Sequence, residues 1–444
     1  MKKFLSIRLD AWLIVIFAIV VIATTKNVYM INTGDFHRAI FPFMPPIPSF
    51  QHSMDLKYRL YDEFWGVSKF TYMSTYSYIL YFTGEVFKLF TDQLDARILS
   101  AVLKSLYIAI LFSLYVKLQN GNISYVDYAV ALILIIFLCS SSNIAFFPSF
   151  YQEQVVLVFL PLMAMCLARR ENTLLTTALF VVSAFIIGGS KSQFFYMPLL
   201  SMPFVFHFIN YRKLALAGLV VSQAACIFFV MNSSDATNFN KYHSAYYGVY
   251  AYEKMNEIKL PDGVDEKCIG IDAWGGQLDK EKGSHRSTLG KSCYENNKDV
   301  SFIDSLREYI KHPGIILKLP FDDVVKDNLV TDYIHVAKTI KVIVDDKISW
   351  STQLTHMKDS VFGNLRMFAM VLIMAAFLVN RKTRSMSIPI VLVSLFGVSQ
   401  FYISFIGEGY RDLSKHLFGL SFSFDMVVFL SISNLIYILK GKPQ

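Results

Sequence analysis

The sequence predicts an all-α polytopic membrane protein of about ten transmembrane helices, with a long first outer loop and a larger outer loop domain. Three observations carry this expectation. Of 444 residues, 54% are hydrophobic and only 17% charged, against about 25% charged in a soluble domain; the mean hydropathy is +0.42. Apolar runs recur near 10–26, 97–118, 126–146, 153–168, 173–189, 194–210, 214–231, 365–380, 387–406 and 417–439. The net charge of +8 falls in short clusters between those runs. That is a topology signal and not the stripe of a nucleic-acid-binding surface.

The elements follow in chain order. "MKKFLSIRLDAWLIVIFAIVVIATT" has the basic start and apolar stretch of a secretory signal. No small-x-small cleavage site follows and many spans come after, so it reads as an uncleaved first helix. "YSYILYFTGEVFKLF", 76–90, is short and carries Glu85 and Lys88 on one helical face. Basic clusters decide its course. Lys2, Lys3 and Arg8 precede the first run; Arg169 with Arg170, Arg212 with Lys213, Arg381 with Lys382 and Arg384, and Lys440 with Lys442 follow later ones. All five lie on the cytoplasmic side only if 76–90 does not cross. It is therefore expected as an interfacial helix on the outer face, with both termini cytoplasmic.

Three regions result: 1–231, an N-terminal transmembrane region with the first outer loop at 27–96; 232–364, a large polar outer domain; and 365–444, a C-terminal transmembrane region. Cys139, Cys166 and Cys226 fall in spans and read as packing residues. Cys268 and Cys293 share the large outer domain, where an oxidising compartment favours a disulfide over two free thiols. No Cys/His spacing suggests zinc.

Candidate chemistry gathers in the outer loops. The first contains "NTGDFHRAIFPF", 32–43, with Asp35, His37 and Arg38 just past the first span. Asp35 reads as the N-cap of a short helix or as a catalytic base, roles that are compatible. Asp62 and Glu63 point about 100° apart on a helix and read as a solvated face. Glu153, in "PSFYQEQ", stands at a helix start, where the dipole favours an anion. Lys191 sits in the tight turn "GGSKSQF" and suits a phosphate contact. The last outer loop, "GEGYRDLSKH", offers Glu408, Arg411, Asp412, Lys415 and His416. Arg411 and Lys415, four apart, are expected on one helical face as an anion clamp, with His416 beside them. Asp425, inside the last span, is expected to pair with Lys104. Trp274 and the tyrosines of "YHSAYYGVYAY" read as sugar-stacking or as packing residues.

One carboxylate near the membrane surface and several cations suit a lipid phosphate: the cations hold the phosphate and the carboxylate takes a proton from an acceptor hydroxyl. A solute transporter is the rival reading, but the sequence shows neither internal repeats nor broken mid-membrane helices.

The early-loop Asp, the interfacial helix and the many spans resemble the GT-C class of polyprenyl-phosphate-sugar glycosyltransferases. More closely, "TYSYILY", "LDARILSAVLKSLYI", "PSFYQEQ", "NKYHSAYYGVYAY", "DEKCIGIDAWGG", "KLPFDD" and "GEGYRDLSKHLFGLSFSFD" resemble the serotype-specific O-antigen glucosyltransferases of prophage serotype-conversion clusters in enteric bacteria. The resemblance covers nearly the whole chain. It implies a bacterial inner-membrane enzyme with a periplasmic active site. Such an enzyme moves glucose from undecaprenyl-phosphate-glucose to the O-antigen of lipopolysaccharide. A lipid-glucose synthase and a small flippase of the same cluster are its implied partners. By analogy with the GT-C class Asp35 is the base. Placement in the outer loops, not the resemblance, assigns Glu153 as a second catalytic carboxylate and Lys191, Arg411, Lys415 and His416 to substrate binding; His37 and Arg38 could bind phosphate or acceptor carboxylates equally well. No cofactor is expected. Asp35 with Glu153 or Asp62 could hold a Mg²⁺-type ion, but no dedicated cage is visible and no metal requirement is expected. The alternatives are a GT-C transferase for another acceptor and a non-enzymatic sugar-lipid flippase.

Overall fold

The computed structural model describes residues 2–30, 39–40, 56–60, 72–168, 173–278, 285–327, 329, 349–380, 383 and 386–441. Asp35, His37, Arg38, Asp62 and Glu63 lie outside the described residues. The chain is a helical, multi-pass membrane protein. Among the described residues its strands are two antiparallel pairs of two or three residues each, such as Lys57–Arg59 on Gln93–Asp95.

Among the described residues, five helical stretches are long and apolar enough to cross a bilayer by length and composition: Ala96–Leu118, Ile209–Met231, Trp350–Val379, Ser387–Glu408 and Phe418–Leu439. Shorter apolar helices are Ala11–Thr24, Tyr125–Leu138, Glu153–Leu167 and Leu174–Ser190. Large apolar side chains such as Val221, Leu372 and Leu439 face outward, as a lipid-facing surface requires. Inside, helices close on small residues. A Cβ on Gly397 would lie 2.6 Å from Ser423 Cβ, so this glycine lets the Ser387–Glu408 and Phe418–Leu439 helices touch.

The segment expected at the interface forms the helix Thr75–Lys88, 14 residues long and capped by the Ser74 side chain on the Tyr76 N–H. It spans about 21 Å, short of the roughly 30 Å hydrocarbon core. Its first turn is tied to the end of the Leu174–Ser190 helix: Ser74 Oγ donates to the Ser190 carbonyl at 2.6 Å and Thr75 Oγ1 to Ile186 at 2.8 Å. Glu85 and Lys88 pair at 2.8 Å.

Three expectations change. The run at 194–210 is not one helix. It folds as short pieces, Ser192–Phe194, Met197–Ser201, Met202–His207 and Ile209–Tyr211. Pro198 and Pro203, each lacking an N–H, open two of them. A broken helix is thus present beside the site described below, where the sequence showed none. Second, membrane-type packing begins at Trp350 and not near 365. The Trp350–Phe362 helix packs on the short Ser141–Ile144 helix, where Ser141 and Thr355 hydroxyls lie 2.8 Å apart. Third, Asp425 pairs with Lys358 of that helix and accepts from Asn143 Nδ2 at 2.9 Å. Lys104 instead donates to Thr25 Oγ1 at 2.8 Å. Lys358 was passed over because its polar helix reads as part of the outer domain.

The region read from sequence as the outer domain packs helices Ser234–Ser244, Tyr250–Met255, Gly290–Asn296 and Phe302–Lys311 around a π-helical turn, Ala245–Val249. Tyr242, Tyr246, Tyr247, Tyr250 and Tyr252 are buried, and Tyr242 stacks on Tyr246 with ring centroids 5.0 Å apart. Those tyrosines are packing residues. Cys268 and Cys293 are joined in a disulfide that pins this domain.

Candidate functional site

The Leu174–Ser190 helix ends where Lys191 turns to extended backbone, φ −145°, and the Glu153–Leu167 helix begins beside it. Lys191 Nζ reaches Glu153 Oε1 at 2.8 Å. Both side chains are almost wholly buried, so this is an ion pair in a low-dielectric setting, oriented with the carboxylate at a helix start. The second Glu153 oxygen, Oε2, has no hydrogen-bond partner.

The last outer loop closes over this pair. His416 Nε2 lies 2.9 Å from Glu408 Oε2, and its Nδ1 3.2 Å from Gln193 Oε1. Gln193 Nε2 in turn donates to Gln400 Oε1 at 2.7 Å, Ser404 Oγ at 2.9 Å and the His416 carbonyl at 2.7 Å. This network fixes the imidazole between a carboxylate and an amide oxygen, the setting that favours a ring protonated at both nitrogens. Burial acts first in the other direction, helped by the charges of Lys191 and Lys415, and holds the His416 pKa below its ordinary value. The ring therefore holds its second proton loosely. Lys415 is buried and its charge acts on both Glu153 and Glu408.

Several of these groups border a cavity of about 350 Å³. Lys191, Gln193, Glu408 and His416 are among its polar lining residues. Phe195, Val230, Ile403 and Ile406 of the bundle and Phe302 and Leu306 of the outer region make its apolar walls. Glu153 does not line it; it holds Lys191, which does. The cavity thus combines apolar walls with a few charged side chains, as an amphiphile with a charged head would need. With Lys191 and Lys415 set against Glu153 and Glu408, the charges balance before any ligand enters. A phosphate arriving there would draw a second proton onto His416.

The structure brings together Glu153, Lys191, Lys415 and His416 from loops more than 200 residues apart. It separates Arg411. Asp412 adopts a left-handed conformation, φ 44° and ψ 29°, and the helix runs only Leu413–His416. Arg411 and Lys415 therefore share no helical face. Arg411 turns to the outer region, bonding Asp272 at 3.2 Å and stacking 3.8 Å over the Trp274 ring. Trp274 is 56% exposed and flanked by Phe239 at 4.8 Å and His243 at 5.0 Å. Trp274 is thus more exposed than the buried tyrosines, but Arg411 already covers a face of its ring. Glu408 and Gln193 were passed over as site residues. Glu408 was visible in the last outer loop, but an acidic residue had no place in a clamp of cations; a glutamine two residues after Lys191 carries no sequence signal.

The chain matches the family described as the YfdI N-terminal transmembrane domain over residues 2–442. A protein of Escherichia coli (strain K12) carrying the description "Uncharacterized protein YfdI" is 39% identical over 434 residues, 96% of each chain. No solved structure matches. The chain belongs to the YfdI transmembrane family.

Proposed function

We propose that this YfdI-family chain transfers a glucosyl residue from undecaprenyl-phosphate-glucose to O-antigen at the periplasmic face of the bacterial inner membrane. About ten crossings and cytoplasmic termini belong to the same proposal. The observation that carries it is the cavity: apolar walls drawn from the bundle and the outer region meet Lys191 and the Glu408–His416 pair, with the charge of Lys415 acting on Glu408 from behind. A polyprenyl phosphate has the matching shape, an apolar chain with an anionic head.

In the step proposed, the acceptor hydroxyl attacks C1 of the glucosyl group as its bond to the phosphate oxygen breaks. Asp35 takes the hydroxyl proton, and the phosphate leaves on the lipid. Lys191, Lys415 and protonated His416 offset the charge that grows on the leaving oxygen. Glu153 is a positioning residue in this scheme: it holds Lys191 at 2.8 Å.

A second reading, a sugar-lipid flippase, draws on two observations: the broken segment between Ser192 and Tyr211, and the buried Lys358–Asp425 pair within the bundle. Such features line the pathways of transporters.

The two readings part experimentally. Asp35→Asn and Lys358→Met are each expressed with the presumed lipid-glucose synthase and small flippase in a host that makes O-antigen, and the lipopolysaccharide is weighed by mass spectrometry. Normal membrane levels of Asp35→Asn with no added hexose support transfer. Full hexose addition by Asp35→Asn rules out that residue as base.

A further inference from the structure

The outer region holds a second cluster that the cavity does not use. Glu253 lies in the helix Tyr250–Met255, directly after the π-helical turn; Glu308 lies in the helix Phe302–Lys311, and His312 caps its end. One ligand atom from each of the three lies within 4.8 Å of the other two. Glu253 is 0% exposed, and neither of its carboxylate oxygens has a hydrogen-bond partner. A buried carboxylate left this way is costly unless something neutralises it. Glu308 is also buried, which places two acidic groups side by side away from water. The nearby cation is Lys311, 2.5 Å from Glu308 and with its side chain 55% exposed, free to swing into solvent.

We propose that Glu253, Glu308 and His312 form a divalent transition-metal site of the Zn²⁺ class. Two carboxylates and one imidazole suit that ion, and three protein ligands leave a position for water. Ligand atoms bonded at about 2.0–2.2 Å to one ion lie roughly 3–4 Å apart, so modest side-chain rotation closes the triangle. The spacing of four between Glu308 and His312 brings both to one side of their helix end. The ion displaces Lys311 from Glu308 and ties the Tyr250–Met255 helix to the Phe302–Lys311 helix. That helix supplies Phe302 and Leu306 to the cavity wall, so the metal fixes the wall without taking part in transfer. The site stands on these three residues and is independent of what the cavity binds.

The test uses the full chain in detergent, free of any histidine tag, stripped with a chelator and titrated with Zn²⁺. Zinc retained after gel filtration is counted by mass spectrometry, and thermal unfolding is followed in parallel. The expected result is about one zinc per chain and a raised unfolding midpoint. His312→Ala, at a half-buried helix end and so compatible with folding, and Glu253→Gln each lose the zinc and the midpoint rise. Lys311→Ala keeps both. Failure of the wild-type chain to retain zinc overturns the site, as does equal retention by His312→Ala and Glu253→Gln.

Discussion

Replacing Glu153 by Gln removes the anionic half of a pair whose members are 2% and 5% exposed. Lys191 keeps its charge but loses the carboxylate at 2.8 Å. Breaking a buried pair from one side costs about 3–5 kcal/mol. Glu408 still attracts Lys191, so the loss for Glu153→Gln lies near the lower end, about 3 kcal/mol. Lys191→Met strands Glu153, whose Oε2 already has no hydrogen bond; the charge of Lys415 softens that loss in the same way. Once both residues are neutral no charge is stranded, and the double variant Glu153→Gln/Lys191→Met is expected to be more stable than the two single losses sum to, by about 2–3 kcal/mol. The assay is denaturant unfolding of the detergent-solubilised chain, run as a double-mutant cycle. Hexose transfer is scored on the same four proteins. Stability returns in the double variant; on the proposed function transfer does not, because that reading has Lys191 hold the phosphate. Single losses below about 1 kcal/mol, or strict additivity, would refute the account of the pair.

Three further predictions concern the outer region. Burial first, and then the nearby Arg411, pushes the His243 imidazole down to about 3; its Nε2 accepts the Ala273 N–H at 3.0 Å. The fold therefore keeps this ring neutral, while the unfolded chain protonates near pH 6.5. Its contribution is present above that value and lost as pH falls toward 3, amounting to about 2 kcal/mol at pH 5; His243→Gln should remove this part of the pH dependence in unfolding measurements. Cys268→Ser opens a 25-residue separation, and lowered stability of about 3–4 kcal/mol is expected by chain-entropy reasoning, read as earlier proteolysis of the outer region. Gly409 has φ +65°, and a Cβ there would sit 2.3 Å from the Tyr247 carbonyl oxygen. Gly409→Ala should cost upward of about 2 kcal/mol and loosen the last outer loop, seen as faster amide exchange at Tyr410, whose N–H bonds that same carbonyl at 3.0 Å.

Much of this architecture was legible because hydropathy reports directly on the bilayer. The first helix, the short helix at 75–88 and the last two spans follow from run length and loop charge. The convergence of Glu153, Lys191, Lys415 and His416 followed from placing their loops on one face. Legibility failed where local and tertiary signals part. The polar Trp350–Phe362 helix reads as extramembrane, yet Lys358 is buried against Asp425. Pro198 and Pro203 divide an apolar run that composition presents as one helix. A left-handed Asp412 redirects Arg411, and no spacing rule foresees it. Glu253 and Glu308 stand 55 residues apart and meet only through helix packing, so no sequence motif announces them.

The most direct measurement reconstitutes the purified chain in liposomes with radiolabelled undecaprenyl-phosphate-glucose and an O-antigen-bearing acceptor lipid. Label on the acceptor, lost in Lys191→Ala and Asp35→Asn, is the result expected of a transferase whose cavity holds the lipid phosphate. Label that crosses the bilayer on its lipid while the acceptor stays unlabelled would contradict transfer and establish the flippase reading.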